Sequence, residues 1–487
     1  MSFESGMTHG RGLFGSETGI THECGLFGIW GRSEAARLVY YGLHSLQHRG
    51  QDAAGIVVKN GETLSRYKGA GLLTDVFSEN VLSQMKGSAA IGHVLYSIGD
   101  PEYHNAIQPL LFHFEKSSLA VCQNGAYVNA KSLRKTLENY GSIFQTKCNS
   151  EILAHIIRRS RLVTFAESVK RSLSQVHGGF AILMMTQEGL FAARDSRGLR
   201  PLVLGKICDE KHGDSYVISS ETCALDTVSA KYLRDIEPGE VVFINNDGIS
   251  SEYFTSDREL RVCGMEYIYI ARPDSNLQGV NVHTSRKNAG RIIAQESPTQ
   301  ADIVIASPDT GISAAIGYAE AMRIPYEIGV IKSRYIGRTF ISPTQELREQ
   351  GVKMKLSAVR SIIDGKSVIL VDDSIVRGTT MKHMATLLRE AGAREVHVKV
   401  ASPLFRHQCF YGIGLPASHK LISHKKTAAQ IAKTIGMDSI SCISAQGLTE
   451  AIGIPNQAGK CRGLCLACLD GDYPTHLQDF SSDVAQE

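Results

Sequence analysis

Residues 368–380 read VILVDDSIVRGTT. An apolar run ends in two carboxylates, and a loop of Ser, Gly and Thr then leads into a helical pattern. In an open parallel sheet, ligands bind at the carboxyl ends of the strands. Loop amides and a helix N-terminus present N–H donors to a phosphate, and Thr379 and Thr380 add hydroxyls. Asp372 and Asp373 would repel that phosphate and suit sugar hydroxyls or Mg2+ instead. A strand ending in a polar helix cap explains one acidic residue and one Thr. It does not explain two carboxylates ahead of the Ser374–Thr380 cradle.

A second candidate begins at Cys24, which opens CGLFGIWG directly after residues 1–23. That leading segment holds glycines and mixed polar residues with no apolar block, so it reads as a disordered leader or propeptide rather than a secretory signal. Its removal would give Cys24 a free α-amine with a pKa of ~8. Such an amine serves as general base for its own thiol without a separate His. Taken alone, a Cys beside Gly at a strand start reads as a small buried residue. A third candidate is the C-x-x-C pair of Cys465 and Cys468, whose spacing suits zinc or an iron–sulfur cluster.

These groups must be held by two different kinds of structure. From Cys24 to about Phe254, short strands and turns dominate, among them FAILMMT, GLFAARD, RPLVLGK, SYVISS and EVVFIN. Asn60-Gly61 between GIVVK and ETLSRYK predicts a two-residue hairpin turn. Helical spacing appears around Ala35–Leu46 and Ser150–Ser160. This pattern predicts antiparallel sheets packed with a few helices. From about Ala301 to Val400, ADIVIAS, SVILVDD and EVHVKV are buried strands. Between them lie helical stripes at Ile312, Ala315, Ile316, Ala319 and Met322, and at Met381, Met384, Ala385, Leu388 and Ala391. Strand–helix alternation predicts a parallel sheet with crossover helices. The polar stretch TSDRELRV near 255–262 marks the boundary between the two. No internal repeat or low-complexity tract interrupts either part.

Composition agrees with a multidomain globular chain. The 487 residues are 43% apolar and 21% charged, with 52 Lys plus Arg against 49 Asp plus Glu. A net charge of +3 gives no reason to expect nucleic acid or a membrane surface as partner, and leaves room for a local basic patch that binds phosphates. No apolar run approaches the ~18 residues of a transmembrane helix. The eleven cysteines, an odd number in a large chain, suggest buried thiols, ligands or a nucleophile in a reducing cytoplasm rather than a disulfide framework.

Residues 368–380 closely resemble the phosphoribosyl-pyrophosphate (PRPP) motif of type I phosphoribosyltransferases. The resemblance implies that the Ser374–Thr380 loop, with Arg377, Gly378, Thr379 and Thr380, holds the 5-phosphate. It gives Asp372 and Asp373 the ribose hydroxyls or metal. In VIASPDTGIS, Asp309-Thr310-Gly311 would form the pyrophosphate loop, with Thr310 near magnesium. The basic stretch 332–360, including Lys332 and Arg338, would be a lid that excludes water from PRPP. Composition alone also permits a merely solvated loop there.

The segments around Cys24, QHRGQDAAGI (47–56) and Asn124-Gly125 resemble the N-terminal-nucleophile domain of class II glutamine amidotransferases. By that resemblance, Cys24 is the nucleophile, Asn124 and Gly125 form the oxyanion hole, and Arg49 helps position glutamine. MEYIYIARPDS (265–275) and RTFISPTQELREQGVKMKLSAVR (338–360) make the whole chain, from about Glu23 to Tyr473, similar to the glutamine PRPP amidotransferases, and to their cluster-containing subclass.

The resemblance implies an α+β glutaminase domain of stacked antiparallel sheets between helices at 24–255. An α/β phosphoribosyltransferase domain with a parallel sheet would follow at 256–475, with a tail at 476–487. It implies one Mg2+ and one [4Fe–4S] cluster per subunit, the latter on Cys263, Cys409, Cys465 and Cys468, with Cys461 spare. Ligand chemistry alone leaves zinc on the four cysteines open. It also implies PRPP, glutamine or ammonia as substrates, purine nucleotides as feedback inhibitors, and a homo-oligomer, dimer or tetramer.

The sequence departs from the family at the glutamine pocket. Leu95 stands where the family has the Arg that holds the substrate carboxylate, and Ile98 where a Thr is usual. Asn149 replaces the Asp that holds the substrate amine, and Gln123 and Ala126 flank Asn124-Gly125 in place of His and Asn. Charge-assisted contacts contribute ~1.5–3 kcal/mol each, so losing two would weaken glutamine binding by orders of magnitude. Two alternatives follow: a paralogue that runs on free ammonia or another amine, and a non-catalytic PRPP-binding regulator.

Overall fold

The computed structural model describes residues 24–96, 103–115, 117–160, 162, 164–210, 213–333, 356–454 and 463–480. The expectations for the 1–23 leader, Ile98, Arg338, most of the 332–360 segment and Cys461 lie outside these residues.

The first half is a four-layer stack. A seven-stranded antiparallel sheet runs in the order Lys231–Asp235, Val203–Ile207, Ser215–Ser219, Cys24–Trp30, Ala89–Leu95, Ala53–Asn60, Thr63–Ala70. A six-stranded antiparallel sheet runs Gly248–Tyr253, Glu240–Asn245, Leu190–Arg194, Gly178–Met185, Ser118–Tyr127, Leu110–His113. Side chains alternate across each strand, so each sheet buries both faces. Leu26, Trp30, Val57 and Ile91 meet Cys122, Leu183 and Val242 between the sheets. Phe27, Ile29, Ile56 and Val94 face the Ala35–Ser45 helix through Val39 and Leu43. Helices Asn149–Arg159 and Phe165–Leu173 cover the far face of the second sheet.

The hairpin forms one residue later than its turn signal suggests. Asn60 is still paired, to Thr63, so the loop is Gly61-Glu62. Gly61 has φ +56°, the left-handed backbone that glycine supplies at the first loop position.

The second half contains a four-stranded parallel sheet, Ile303–Ala306, Ser367–Asp372, Glu395–Val400 and Ser439–Cys442, in that order. Its strands are apolar on both faces because both are covered. Helices Val282–Glu296 and Ile312–Met322 pack on Val304, Ala306, Ile369 and Val371. Helices Thr379–Glu390 and Ala428–Ile435 pack on Ile303, Ile305, Val368 and Leu370.

Between the halves, residues 254–261 carry no helix or strand. The stretch read as a tail from 476 onward docks back on the first half. The Asp479 carboxylate accepts from the Lys131 and Ser132 amides at the start of the Ala130–Asn139 helix, at 2.7 and 3.2 Å. Phe480 is buried against Phe410.

Candidate functional site

Cys24 begins the central strand of the first sheet and is fully buried. Leu95 lies opposite it on one neighbour, and Ala53 lies opposite Leu95 on the next. With Ile107 these three form a small apolar cluster around the thiol. Asn124 arrives from the other sheet, and its Oδ1 accepts from the Cys24 main-chain nitrogen at 3.3 Å. That bond fixes which way the amide points. Its Nδ2 is left buried without a hydrogen-bond partner among the described residues. An orphaned buried donor costs free energy unless a ligand satisfies it. It therefore marks a place where an oxygen beside Cys24 would be bound.

Gln123, on the other side of Asn124 in the strand, is buried and donates to the Gly125 carbonyl at 3.1 Å. Asn149 is the first residue of the Asn149–Arg159 helix and is partly exposed. The buried carboxylate nearby is Glu151, which accepts from the Gln145 and Thr146 amides at 2.8 and 2.7 Å and so braces the preceding loop. Lys68 lies on the edge strand, two residues along from the row that contains Cys24 and Ala53. It donates to the Ile107 carbonyl at 3.1 Å.

Arg49 is tied into a buried ion-pair network. Its guanidinium is buried and donates to Glu221 through Nε and to Glu266 through Nη2 at 2.6 Å. Two carboxylates occupy the fork, so its charge is taken up in joining the halves. His48 Nε2 lies 2.7 Å from Glu221, and Ser275 Oγ and the Arg272 amide donate to it at 2.6 and 2.9 Å. Arg200 Nη1 is 3.6 Å from Glu266. Burial alone would raise the Glu221 pKa, but Arg49 and His48 hold it well below the ordinary carboxylate range. Sequence reading missed this network. Its signals were Glu221, just beyond the SYVIS strand, and Glu266 within MEYIYIARPDS.

In the second half, two adjacent strand ends bring the acidic motif and the Asp309-Thr310 segment together. The Thr310 hydroxyl and the Ser374 hydroxyl bond to the two oxygens of Asp373. Asp372 Oδ1 accepts from the Asp373 amide at 3.0 Å. Both carboxylates are buried, and burial pushes both pKa values up. The Asp373 charge adds to the rise at Asp372. A pair of hard oxygen donors raised in this way favours a cation between them and solvent. Beyond them, Gly378 takes φ +74° at the N-cap of the Thr379–Glu390 helix. Arg377, Thr379 and Thr380 are exposed at the loop surface. Lys332 Nζ lies 2.7 Å from Asp309. The strand Val330–Lys332 pairs with Leu356–Ala358, so the ends of the basic segment are clasped beside the site.

The four cysteines Cys263, Cys409, Cys465 and Cys468 line one cavity with Leu199, Arg200 and Tyr473. Among the described residues, no three His, Cys, Asp or Glu side chains converge closely enough to hold a single metal ion. No helix among the described residues is long and apolar enough to cross a membrane.

Comparison with known proteins gives both halves a relative. Residues 95–227 match the glutamine amidotransferase domain model, and residues 281–409 match the phosphoribosyl transferase domain model. The chain is 53% identical over 451 residues to the amidophosphoribosyltransferase of Bacillus subtilis (strain 168), covering 92% of this chain and 94% of that one. It is 48% identical over 457 residues to the amidophosphoribosyltransferase of Staphylococcus aureus (strain MRSA252), covering 94% and 92%. The structure superposes with a TM-score of 0.87 on the B. subtilis glutamine PRPP amidotransferase complexed with ADP and GMP. That match is 53% identical and covers 93% of this chain and 98% of that chain. A second solved structure, described as the allosteric regulatory enzyme of purine biosynthesis, matches with a TM-score of 0.88 at 53% identity, covering 93% and 97%.

Proposed function

We propose a division of labour between the two halves on one premise: this chain belongs to the amidophosphoribosyltransferase family. It is a glutamine-dependent pentosyltransferase that makes 5-phosphoribosylamine, pyrophosphate and glutamate from PRPP, glutamine and water, the first step of de novo purine synthesis. The observation that carries the division is the orphaned Nδ2 of Asn124, a residue of one sheet whose Oδ1 accepts from the main-chain nitrogen of Cys24 in the other.

In the first half, the Cys24 thiolate attacks the glutamine carboxamide. Asn124 Nδ2 and the Gly125 amide take the developing oxyanion. The adduct collapses as its C–N bond breaks, the protonated nitrogen leaves as ammonia and passes internally to the second half, and water then hydrolyses the thioester to glutamate and the free thiol. Loss of residues 1–23 supplies the α-amine as general base, and Asn124 Oδ1 orients it. In the second half, the Ser374–Thr380 loop binds the 5-phosphate, and Asp372 and Asp373 hold the ribose and metal side. Lys332 and Arg338 belong to the segment that closes over PRPP. Ammonia attacks C1 and the C1–pyrophosphate bond breaks.

The family uses Mg2+ for this second step, and Thr310, Asp372 and Asp373 fit it as oxygen donors. When bound, Mg2+ would neutralise charge on the departing pyrophosphate. The four cysteines fit a [4Fe–4S] cluster better than zinc. A single tetrahedral ion with Zn–S bonds of ~2.3 Å requires sulfurs converging on one point, and these thiols ring a cavity. The cluster's role is structural, joining distant segments at the junction of the halves.

Purine nucleotides as feedback inhibitors follow by analogy with the relative bound to ADP and GMP. A cytoplasmic homo-oligomer is part of the same reading. A second reading, in which glutamine is a poor donor, is favoured by the apolar cluster that Leu95 forms beside Cys24. A single assay tests both: pyrophosphate release from PRPP with glutamine or with ammonium chloride, with glutamate measured in parallel. Pyrophosphate release with neither donor would refute the amidotransferase assignment and leave a PRPP-binding regulator.

A further inference from the structure

The segment after Cys409 reaches from the second half into the first. Gly412 has φ +96°, and a Cβ built on it would lie 2.8 Å from the Gly125 Cα. The same atom would lie 3.0 Å from the Gly125 carbonyl carbon and 3.2 Å from the Ala126 nitrogen. All three neighbours are main-chain atoms, which cannot swing aside as a side chain does. On its other side Gly125 is equally confined, because a Cβ there would lie 2.1 Å from the Gly179 carbonyl oxygen. The Gly125 peptide is thus held between Gly412 and the Gly178–Met185 strand.

Gly412 is itself anchored. The Tyr411 carbonyl accepts from buried Arg200 through Nε at 3.2 Å and Nη2 at 2.6 Å. The Tyr411 hydroxyl meets Thr475 Oγ1 at 2.9 Å, and the Tyr411 amide donates to Cys409 Sγ at 3.3 Å. Two distant segments, through Arg200 and Thr475, and a local bond to Cys409 therefore anchor Tyr411 directly ahead of Gly412.

We propose that Gly412 is a positioning residue for glutamine hydrolysis: a residue of the phosphoribosyltransferase half holds the Gly125 Cα and the peptide that follows it, and through them the Gly125 amide that serves the oxyanion in the glutaminase half. This rests on the reading of Asn124 and Gly125 as the oxyanion hole. A methyl group at 412 displaces that peptide, and a misplacement of ~1 Å costs ~100-fold in rate. Gly125 lies on the Ser118–Tyr127 strand of the first half, whereas Asp372 ends the Ser367–Asp372 strand of the parallel sheet, so the effect is donor-selective.

The test compares the full-length enzyme with its Gly412→Ala, Gly365→Ala, Arg200→Lys and Asn124→Gly variants. Gly365 has φ +72° and open space around it, so its variant reports backbone strain alone. For Gly412→Ala, kcat for glutamine hydrolysis falls ~100-fold while KM for glutamine stays within about twofold. Ammonia-dependent synthesis and alkylation of Cys24 by iodoacetamide, a displacement that forms no oxyanion, keep their rates. Gly365→Ala changes none of these. Should Gly412→Ala fail to fold, Arg200→Lys loosens the Tyr411 carbonyl without adding volume, and the same donor-selective loss, about tenfold, is expected.

Unchanged glutamine kcat in the folded variant, or equal loss with ammonia, overturns the proposal. Asn124→Gly separates it from its premise. If that variant keeps full glutamine turnover, the oxyanion reading fails and the inference with it. If it collapses while Gly412→Ala does not, the inference alone fails.

Discussion

Cys263 and Cys465 stand opposite each other in a two-residue parallel ladder, with Val262 opposite Leu464 beside them. The pairing joins the start of the second half to the C-terminal segment. The Cys263 thiol is buried, and burial pushes it up to about 12. Burial and then the neighbouring thiols push Cys465 and Cys468 well above the ordinary range. Thiols crowded in this way ionise only when something positive binds them.

Anaerobically purified protein is therefore expected to hold about four irons and four sulfides per chain. Cys263→Ser or Cys465→Ser should lose them and lower the melting temperature, because ligands from distant segments stabilise their packing when bound. Iron, sulfide and zinc determination on one sample checks this. Stoichiometric zinc would overturn the cluster identity and leave the ligand set standing.

Asp373→Asn should lower PRPP turnover by at least ~100-fold with glutamine and with ammonia alike. Both donors use one PRPP site, and Asp373 holds the Thr310 and Ser374 hydroxyls together. Parallel rate measurements with the two donors decide it. Retained ammonia activity would mean the carboxylate pair is misassigned.

Glutamine should be a poorer donor than ammonia. Leu95 presents an apolar side chain next to Cys24, and Asn149 is neutral. If charged partners for the glutamine zwitterion are missing here, the loss is of ground-state contacts, so KM for glutamine should rise more than kcat falls. Leu95→Arg with Asn149→Asp should restore glutamine use beyond either change alone, since one ligand bridges both sites. Saturation curves at fixed PRPP are the measurement. A wild-type KM inside the usual ~1 μM–1 mM range, unimproved in the double variant, would show a rebuilt pocket.

Glu221→Gln should destabilise the fold by ~3–5 kcal/mol, the cost of stripping one partner from a buried ion pair. The Glu221 pKa is depressed in the folded chain. Its contribution is therefore full above the unfolded pKa of ~4.3 and is lost as pH falls below it. Denaturant melts at pH 7 and pH 4 should show the wild type losing stability toward acid more steeply than Glu221→Gln. Equal slopes would place the acid sensitivity elsewhere.

Fully active enzyme should begin at Cys24. The main-chain nitrogen that bonds Asn124 Oδ1 is the atom that would become the α-amine. Intact-mass measurement of glutamine-active protein checks it, and retention of Met1 there would overturn it.

The linear sequence determined whatever rests on local pattern. The sheet–helix stack of the first half and the parallel sheet of the second follow from side-chain periodicity, which adjacent residues settle among themselves. Asp372, Asp373 and the Ser374–Thr380 loop were legible because strand, acids, glycine and helix start are contiguous. The hairpin turn slipped by one residue, since pairing across the ladder and not the Asn-Gly signal decides where a strand stops. Tertiary structure alone decided which distant groups meet. The motif around Arg49 pointed only to a role toward substrate, and it is long-range packing that brings Glu221 and Glu266 to its guanidinium. Cys263 and Cys409 became ligand candidates by resemblance, and only folding places them around one cavity with Cys465 and Cys468. Gly412 had no signal at all. Its importance comes from the absence of a side chain where two backbones touch, and a one-dimensional pattern records no such contact.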